Sequence, residues 1–485
     1  MARGVRRLPE PAKSGNPFVH RIDYTIWMYV KLFAGVLLLL PIRLLLTPVF
    51  MLALYVCVRL SSSGWKPGQH MQPWQKYIVT TIAPPIVRLW VFCAFGFYHV
   101  PVKGRRASAA EAPITVVAPH SCIMETWMVM LFTYGMVISR VENQNFLYVS
   151  SCIKACEPIW VGGSVRGGST VEEMTKRITS PGRWLPIVIF PEGTTHNADA
   201  LLSFKTGAFQ PGYPVQPVIF RFGKPQVGVW GNHGNTVPKI VLLLMCQWHN
   251  TFEVEYLPVY RPSEEERQDA RLYSRNVRAV MTKAADLPCM DYSREELSLM
   301  EKVHGAGLPL DAALIEYDLI NRLFGVRLPA LQVVLERFIQ MNTSKSGVVS
   351  SNEFMMHLAW PIREHALLLF KEYDTCSDGR EELRYREYVV GTLDLATKVP
   401  NAAQVVSDAF EALSDGQDQL STTGILDAMH RRGFSDVSTD SVERFLYKMS
   451  QSSDLSVSGF ASYVESNPDL NILLVWYLRG TATDV

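Results

Sequence analysis

The sequence has little cysteine and comparatively few charged residues. Its 485 residues include eight Cys and 19% charged residues, against about 25% in an ordinary soluble chain. No two cysteines form a C-x-x-C pair, so neither a disulfide framework nor a structural zinc site is indicated. We therefore expect reduced thiols facing the cytosol. Basic runs joined to a nucleic-acid motif are also absent, which argues against nucleic-acid partners.

The net charge of +1 hides two parts of opposite sign. Residues 291–485 hold 17 Lys and Arg against 29 Asp and Glu, whereas residues 1–290 hold 30 against 17. A basic part suits an anionic membrane surface or a phosphorylated substrate. An acidic part is typical of a soluble module, in some proteins one that binds cations. The charge pattern therefore predicts a domain boundary near residue 290.

Two long apolar runs in the basic part predict contact with a membrane. Residues 32–58 are long enough to span a bilayer, but prolines and Arg43 interrupt them, and residues 78–100 contain a Pro-Pro pair and Arg88. A central arginine costs about 2.5–3.5 kcal/mol on insertion, and proline removes a backbone donor. Bent or re-entrant helices within residues 1–100 therefore fit better than one straight span. A buried hairpin of a soluble domain is the alternative.

From residue 113 the pattern changes to short apolar runs separated by amphipathic stretches. Four runs rich in Val, Ile and Leu predict buried strands, at 113–119, 147–151, 185–193 and 215–222. Continuous apolar strands that alternate with helices indicate an α/β sheet covered on both faces. We expect the chemistry where these strands end.

The first run ends in His120, and Glu125 follows five residues later. Histidine suits general-base work near neutral pH, and a carboxylate on one ring nitrogen fixes its tautomer and stabilises the imidazolium. The pair alone is weak support, because a lone histidine at a strand end is more often structural. Cys122, beside His120, leaves open a covalent route through an acyl-cysteine.

The third run ends in the segment FPEGTTHN at 190–197, and FKTGAF follows at 204–209. A glycine next to two threonines exposes backbone N–H and hydroxyl donors that can hold an anion. Lys205 adds a charge that suits phosphate. For each residue taken alone, an ordinary polar turn is the alternative.

Taken in order, these motifs resemble the glycerolipid acyltransferase family. The segments PIRLLLTPVFMLAL, FGFYHVPVKGR, APHSC, FPEGTT, FKTGAF and YPVQPV are most similar to its lysophosphatidylcholine acyltransferase branch, whose members carry C-terminal EF-hand modules. The resemblance implies an α/β acyltransferase domain at 101–290, a mixed sheet flanked by helices, after N-terminal membrane helices. It also implies transfer of an acyl group from acyl-CoA to a lysophospholipid, in phospholipid remodelling at the endoplasmic reticulum membrane, with the catalytic domain facing the cytosol.

The resemblance also implies roles for single residues. His120, oriented by Glu125, deprotonates the acceptor hydroxyl and then protonates the departing thiolate, without a required metal or other cofactor. Backbone amides near Gly193 or in the helix after His120 are the expected oxyanion donors. The residues expected to hold the acceptor are Arg166, Glu192, Gly193, Thr194, Thr195, Lys205 and Gly207. Two features depart from the family: Glu125 replaces an Asp, and Arg166 is the only candidate for an arginine of the glycerol-binding block.

Other readings stay open on the sequence alone. Lysophosphatidate or glycerol-3-phosphate could replace lysophosphatidylcholine as the acceptor. Because Glu125 replaces the usual Asp, an inactive, membrane-anchored regulatory protein is a further alternative. Golgi and lipid-droplet surfaces are alternatives to the endoplasmic reticulum. The sequence indicates neither the acyl chain nor the oligomeric state.

The acidic part predicts an all-α domain of paired EF-hand-like units. Its first loop has Gly at position 6 and Glu at position 12, as an EF-hand requires. The ligand positions are Asn342, Ser344, Ser346, Val348 and Glu353, and only the last is a carboxylate. The second loop begins at Asp374 but has Tyr385 at position 12, so Glu387 serves only if two residues are inserted. Calcium is therefore weakly supported, and we predict a scaffold that has lost its metal.

Overall fold

The computed structural model describes residues 15–65, 69–141, 145, 153–161, 167–180, 184–224, 227–229, 236–374, 381–399 and 401–480. The chain divides into two compact units at residues 294 and 295. The predicted strand at 147–151 and the predicted ligand Arg166 lie outside the described residues.

The first unit combines a seven-stranded sheet with helices. The strands are β1 (Val102–Lys103), β2 (Ile114–Ala118), β3 (Met136–Arg140), β4 (Ile159–Val161), β5 (Ile187–Ile189), β6 (Val215–Phe222) and β7 (Phe252–Tyr256). The helices are α1 (Ile26–Leu38), α2 (Leu40–Ser61), α3 (Pro73–Tyr77), α4 (Ala83–Phe95), α5 (Glu125–Met128), α6 (Gly167–Ile178), α7 (Val237–Cys246), α8 (Glu264–Gln268) and α9 (Ala270–Ala285).

The sheet is mixed and has the strand order β1-β7-β6-β2-β5-β3-β4. β2 pairs in parallel with β5 and β6, whereas β7 runs antiparallel to β6. The predicted mixed α/β sheet flanked by helices is thus confirmed, with β2, β5 and β6 inside predicted runs. Because these three strands are parallel, the loops that follow them meet at one edge of the sheet.

Both faces of the sheet are buried, which explains the continuous apolar runs. Val117 of β2 packs into the core that includes α4, α5 and α7. Its neighbour Val116 packs into a second core with α6 and α9 on the other face. Successive side chains of a strand point to opposite faces, so a strand covered on both sides needs apolar residues at every position.

Among the described residues, two helices are long and apolar enough to cross a membrane. One is α2, and the other is the run Pro73–Phe95, in which a π-helical turn joins α3 to α4. α1 is a shorter apolar helix, and it meets α2 at Leu39. Large apolar side chains are exposed along α1 and α2, among them Ile26, Phe33, Leu45, Val49 and Leu52. This surface suits contact with lipid.

Arg43, the charge that interrupts the first apolar run, is only 3% exposed. Its Nη1 donates to the carbonyl oxygens of Met245 at 2.7 Å and Gln247 at 2.6 Å, and its Nη2 donates to the Tyr98 hydroxyl at 3.1 Å. The two carbonyls lie at the C-terminal end of α7, where helices lack internal donors and favour a cation. The charge is therefore satisfied by a helix end instead of facing lipid.

Replacing Arg43 should destabilise the first unit more than replacing a neighbouring exposed arginine. Arg43→Met leaves the carbonyls of Met245 and Gln247 buried without these donors, which should cost about 2–4 kcal/mol. Thermal unfolding of the detergent-solubilised protein measures the effect. Arg59→Met, at an exposed site in the last turn of α2, is the control. Equal melting temperatures for both variants would contradict the structural role given to Arg43.

The second unit is helical and has one shared apolar core. Its helices are α10 (Arg294–Gly305), α11 (Tyr317–Phe324), α12 (Leu328–Met341), α13 (Ser351–Leu358), α14 (Arg363–Tyr373), α15 (Tyr385–Lys398), α16 (Ala402–Ser414), α17 (Thr422–Arg431), α18 (Thr439–Ser450), α19 (Val457–Ser466) and α20 (Asp469–Arg479). Two short strands, β8 (Val349–Ser350) and β9 (Glu382–Leu383), pair between its loops. The EF-hand assignment stays a prediction.

The predicted calcium ligands of the first loop hydrogen-bond within the loop. The side-chain amide of Asn342 donates to the carbonyl oxygen of Val348, and Glu353 accepts the N–H groups of Ser344 at 2.8 Å and Ser350 at 3.0 Å. Burial opposes ionisation of Glu353, but these two N–H donors outweigh it and lower its pKa to about 2. One carboxylate with its oxygens already engaged fits calcium poorly.

The second loop has two extra residues. Val349, the eighth residue of the first loop, pairs with Leu383, the tenth residue from Asp374. The residue of this loop that is equivalent to Glu353 is therefore Glu387 instead of Tyr385. Tyr385 is buried in the core. Glu387 is 4% exposed, and one of its oxygens accepts the Arg384 N–H at 2.8 Å. Within the described chain its other oxygen has no hydrogen-bond partner, so Glu387 is the better candidate for a ligand position.

Candidate active site

The two predicted motifs meet at the carboxyl edge of the sheet. His120 follows β2, and the segment 190–197 follows β5 directly. The ring of Phe190 stacks on the ring of His120 with 4.2 Å between centroids. The main-chain N–H of His196 donates to the carbonyl oxygen of His120 at 3.0 Å. Residues 70 positions apart in the chain therefore share one site.

Glu125 bonds to the imidazole of His120 and to the turn that precedes its own helix at the same time. Its Oε2 pairs with Nδ1 of His120. Its Oε1 accepts the main-chain N–H groups of Ser121 at 2.6 Å and Cys122 at 2.8 Å. Glu125 is the first residue of α5 and is 1% exposed, and its side chain folds back over the turn between β2 and α5. The longer carboxylate therefore reaches His120.

The contact with Glu125 leaves Nε2 of His120 as the atom available for proton transfer. In the neutral form of His120 the carboxylate favours the proton on Nδ1, so Nε2 holds the lone pair. The His120 side chain is 24% exposed, which leaves room for a substrate beside it. Burial opposes the charged form, but the charge and hydrogen bond of Glu125 and the charge of Glu192 outweigh it and raise the pKa of His120.

Cys122 does not have the surroundings of a nucleophile. It is 2% exposed, and burial, with the nearby charge of Glu125, raises the pKa of its thiol well above the usual value. The backbone of Gly228 lies against the sulfur, since a Cβ added there would be 2.5 Å from it. A thiol that is buried and protonated is inert, so the geometry gives no support to the covalent route.

Glu192 lies behind His120 instead of on the surface where a substrate would bind. It has no exposed surface. Its carboxylate accepts the main-chain N–H of His120 at 2.7 Å and that of Leu202 at 2.9 Å, and it lies 3.0 Å from Nε2 of His196. The expectation that Glu192 touches the acceptor is therefore not supported by its position.

Gly193 and Lys205 come together as predicted and are both exposed. Gly193 has φ +67°, and a Cβ placed there would lie 3.1 Å from Cε of Lys205. Thr195 is half-buried and Gly207 is exposed, whereas Thr194 is 5% exposed and its hydroxyl has no partner among the described residues. Gly193 and Lys205 thus form the accessible part of the predicted anion site.

Asn197, which the sequence analysis gave no role, ties the N-terminal segment to this loop. Its main-chain N–H donates to the carbonyl oxygen of Pro17 at 2.8 Å, and its side-chain amide donates to the carbonyl oxygen of Val19 at 3.1 Å. Phe18, between them, is 2% exposed. The segment leads into α1, so the first apolar helix is connected directly to the active-site loop. No hydropathy pattern could have shown this contact, because its two sides lie almost 180 residues apart.

The short helix that carries Glu125 also packs on a membrane-type helix. Trp127 of α5 meets Trp90 of α4 with 4.6 Å between ring centroids and nearly perpendicular planes. α4 belongs to the second run that is long enough to cross a membrane. The site is therefore adjacent to the apolar surface of the first unit.

Comparisons with known proteins identify the family of the chain. Residues 99–221 match the family model described as Acyltransferase. The chain is 34% identical to lysophosphatidylcholine acyltransferase 1 of Mus musculus over 86% of its length and 78% of the relative's. It is 32% identical to lysophosphatidylcholine acyltransferase 2B of Rattus norvegicus over 90% and 86% of the two lengths. The crystal structure of the 1-acyl-sn-glycerophosphate (LPA) acyltransferase PlsC from Thermotoga maritima aligns with 52% of this chain and 98% of its own, at 17% identity and a TM-score of 0.35.

Removing the charge of Glu125 should lower the pKa of His120. Glu125→Gln keeps the size of the side chain but removes the negative charge that favours the imidazolium, so His120 should lose its proton at a lower pH. Diethyl pyrocarbonate modifies neutral imidazole, and peptide mass spectrometry across a pH series gives the midpoint for His120. Glu111→Gln, which lies just before β2 and far from His120 along the strand, should leave the midpoint for His120 unchanged. An unmoved midpoint in Glu125→Gln would show that this carboxylate does not control the titration of His120.

Proposed function

Because this chain belongs to the family of lysophosphatidylcholine acyltransferases, we propose that it transfers an acyl group from acyl-CoA to the free hydroxyl of a lysophospholipid. Lysophosphatidylcholine is the acceptor we expect, and the family resemblance implies the cytosolic face of the endoplasmic reticulum as the place. The observation that carries the proposal is the His120–Glu125 pair, which lies at the carboxyl edge of the sheet inside the segment that matches the acyltransferase family.

The proposed reaction uses His120 as base and then as acid. Nε2 takes the proton of the acceptor hydroxyl as its oxygen attacks the thioester carbonyl carbon of acyl-CoA. Glu125 stabilises the imidazolium that forms. The tetrahedral intermediate then collapses, the carbon–sulfur bond breaks, and His120 gives its proton to the departing thiolate. The products are the acylated phospholipid and free CoA.

The loop after β5 is the better source of oxyanion donors. The N–H groups of Ser121 and Cys122 already donate to Glu125, so the turn before α5 is engaged. The main-chain N–H groups of Thr194 and Thr195 have no acceptor among the described residues. We therefore assign the developing negative charge to these two amides, which would stabilise it without reorganisation.

The exposed pair Gly193 and Lys205 supports binding of the acceptor phosphate. The ammonium group of Lys205 supplies a positive charge, and Gly193 lets a ligand approach the backbone closely. The apolar surface of α1 and α2 and the contact between α4 and α5 support a site at the membrane, where lysophospholipids are found. The basic charge of residues 1–290 suits an anionic bilayer surface.

Membranes that contain the protein should acylate a lysophospholipid when labelled acyl-CoA is supplied. Lysophosphatidylcholine, lysophosphatidylethanolamine, lysophosphatidate and glycerol-3-phosphate, tested in parallel, identify the acceptor. His120→Ala removes the base and should lower the rate by at least about 100-fold. Glu125→Asp, which keeps the charge, tests whether the longer carboxylate is required. Absence of product from both wild type and Glu125→Asp, beside an active relative, would favour the inactive regulatory protein.

Lys205 should contribute to binding the acceptor but not to binding acyl-CoA. Lys205→Met keeps the aliphatic stem beside Gly193 and removes the charge, so KM for the acceptor should rise about tenfold while KM for acyl-CoA stays the same. Initial rates with each substrate varied in turn separate the two effects. Lys224→Met, at an exposed lysine that pairs with Asp199, is the control. A change in both KM values would argue against a specific phosphate contact.

A further inference from the structure

His196 is a buried histidine for which the proposed reaction has no direct use. Its side chain has no exposed surface, so it cannot touch a substrate. Its main-chain N–H nevertheless donates to the carbonyl oxygen of His120 at 3.0 Å. Its ring Nε2 lies 3.0 Å from Oε2 of Glu192, and that same oxygen accepts the main-chain N–H of His120 at 2.7 Å. Both routes from His196 end at the proposed base.

The neighbours of His196 determine where its proton is. The main-chain N–H of Ala198 donates to Nδ1 at 3.2 Å. A donor requires a lone pair on the acceptor, so Nδ1 carries no proton and the single ring proton is on Nε2. Nε2 of His196 is therefore the ring atom that donates to Glu192.

Glu192 is held as a carboxylate by the groups around it. Burial alone would raise its pKa, but its contact with His196 and the N–H groups of Leu202 and His120 outweigh burial and lower the pKa of Glu192. The carboxylate thus accepts three N–H donors in a site without solvent. Its charge is also one of the causes that raise the pKa of His120.

We propose that His196 is a positioning residue, which keeps the Glu192 carboxylate against the main chain of His120 and so fixes where Nε2 of His120 meets the acceptor hydroxyl. The proposal rests on the proposed function. The N–H of His120 is held by Glu192, its carbonyl by His196, and its ring by Glu125 and Phe190. Without the His196 side chain, Glu192 loses one of three donors and can rotate away from the main chain of His120. A displacement of about 1 Å at a reacting group can cost a factor of about 100 in rate.

Steady-state kinetics test the positioning. His196→Met fills the space without the donor, and kcat should fall about 10–100-fold while KM for both substrates changes by less than about twofold. His196→Gln can present an amide N–H to Glu192 and should restore most of the loss. His365→Met replaces another buried histidine, in the second unit, and controls for the loss of a buried ring. If His196→Met does not fold, the smaller His196→Thr takes its place.

A double-mutant cycle tests whether His196 acts through Glu192. In Glu192→Gln the carboxylate is already absent, so adding His196→Met should cost less than about threefold more in kcat. Full additivity of the two losses would overturn the proposed route. A loss in His196→Met that equals the loss of folded protein, with kcat per folded molecule unchanged, would also overturn it.

A readout without acyl transfer separates this proposal from the proposed function. The pH midpoint for diethyl pyrocarbonate modification of His120 reports its surroundings whether or not the chain is active. In His196→Met, Glu192 loses the contact that opposes burial most strongly and can rotate away from His120, so its charge supports the imidazolium less and the midpoint should fall. The midpoint for His120 should fall in Glu192→Gln, and it should keep its wild-type value in His196→Gln.

The outcomes of these experiments distinguish a failure of the proposed function from a failure of the positioning role of His196. Shifted midpoints without acyl transfer to any acceptor would refute the proposed function and support the link between His196, Glu192 and His120. An active wild type whose kcat and His120 midpoint are both unchanged in His196→Met would keep the function and refute the positioning role.

Discussion

The site depends on the carboxylate of Glu125, which makes two kinds of hydrogen bond at once. One oxygen bonds to the imidazole that serves as the proposed base, and the other bonds to main-chain N–H groups in the turn before α5. A buried carboxylate is stable only when its lone pairs are satisfied. The turn before α5 supplies that satisfaction, so the orientation of the base and the conformation of this turn support each other. Glutamate has the reach for this arrangement because its side chain folds back along the chain.

A second layer of buried polar groups holds the base from the opposite side. Glu192 and His196 hold the peptide groups of His120, whereas Glu125 holds its ring. Partly satisfied networks in a dry site are costly, and fully satisfied ones are rigid. Because the loop after β5 both supports His120 and borders the proposed substrate site, it contains buried as well as exposed polar residues. Glu192 and His196 form the buried support, and Gly193 beside them is exposed.

The sequence predicted those features that depend on local pattern. The continuous apolar runs of β2, β5 and β6 followed from burial on both faces, and His120 and Glu125 followed from their spacing after a strand. The strand β7 was missed, because two of its five side chains are only partly buried and interrupt the apolar run. The role of Glu192 was also missed, since a motif letter does not show whether a carboxylate is exposed. From the sequence, Arg43 is only a charge that interrupts the first apolar run, because the carbonyls that accept its hydrogen bonds lie some 200 residues away. The inserted residues before Glu387 became clear only from the pairing of Val349 with Leu383.

The contact between Asn197 and the segment that precedes α1 has a consequence for protein engineering. Membrane enzymes are commonly made soluble by deleting their apolar helices, but here the deletion would remove more than a lipid anchor. Deletion would remove Arg43, which donates to the carbonyls at the end of α7, and it would remove α4, on which Trp127 packs. It would also leave the amides of Asn197 without their acceptors, the carbonyl oxygens of Pro17 and Val19. The apolar helices are part of the catalytic unit itself. A soluble form of this unit therefore requires new polar side chains on the outer surfaces of these helices, which must remain in place.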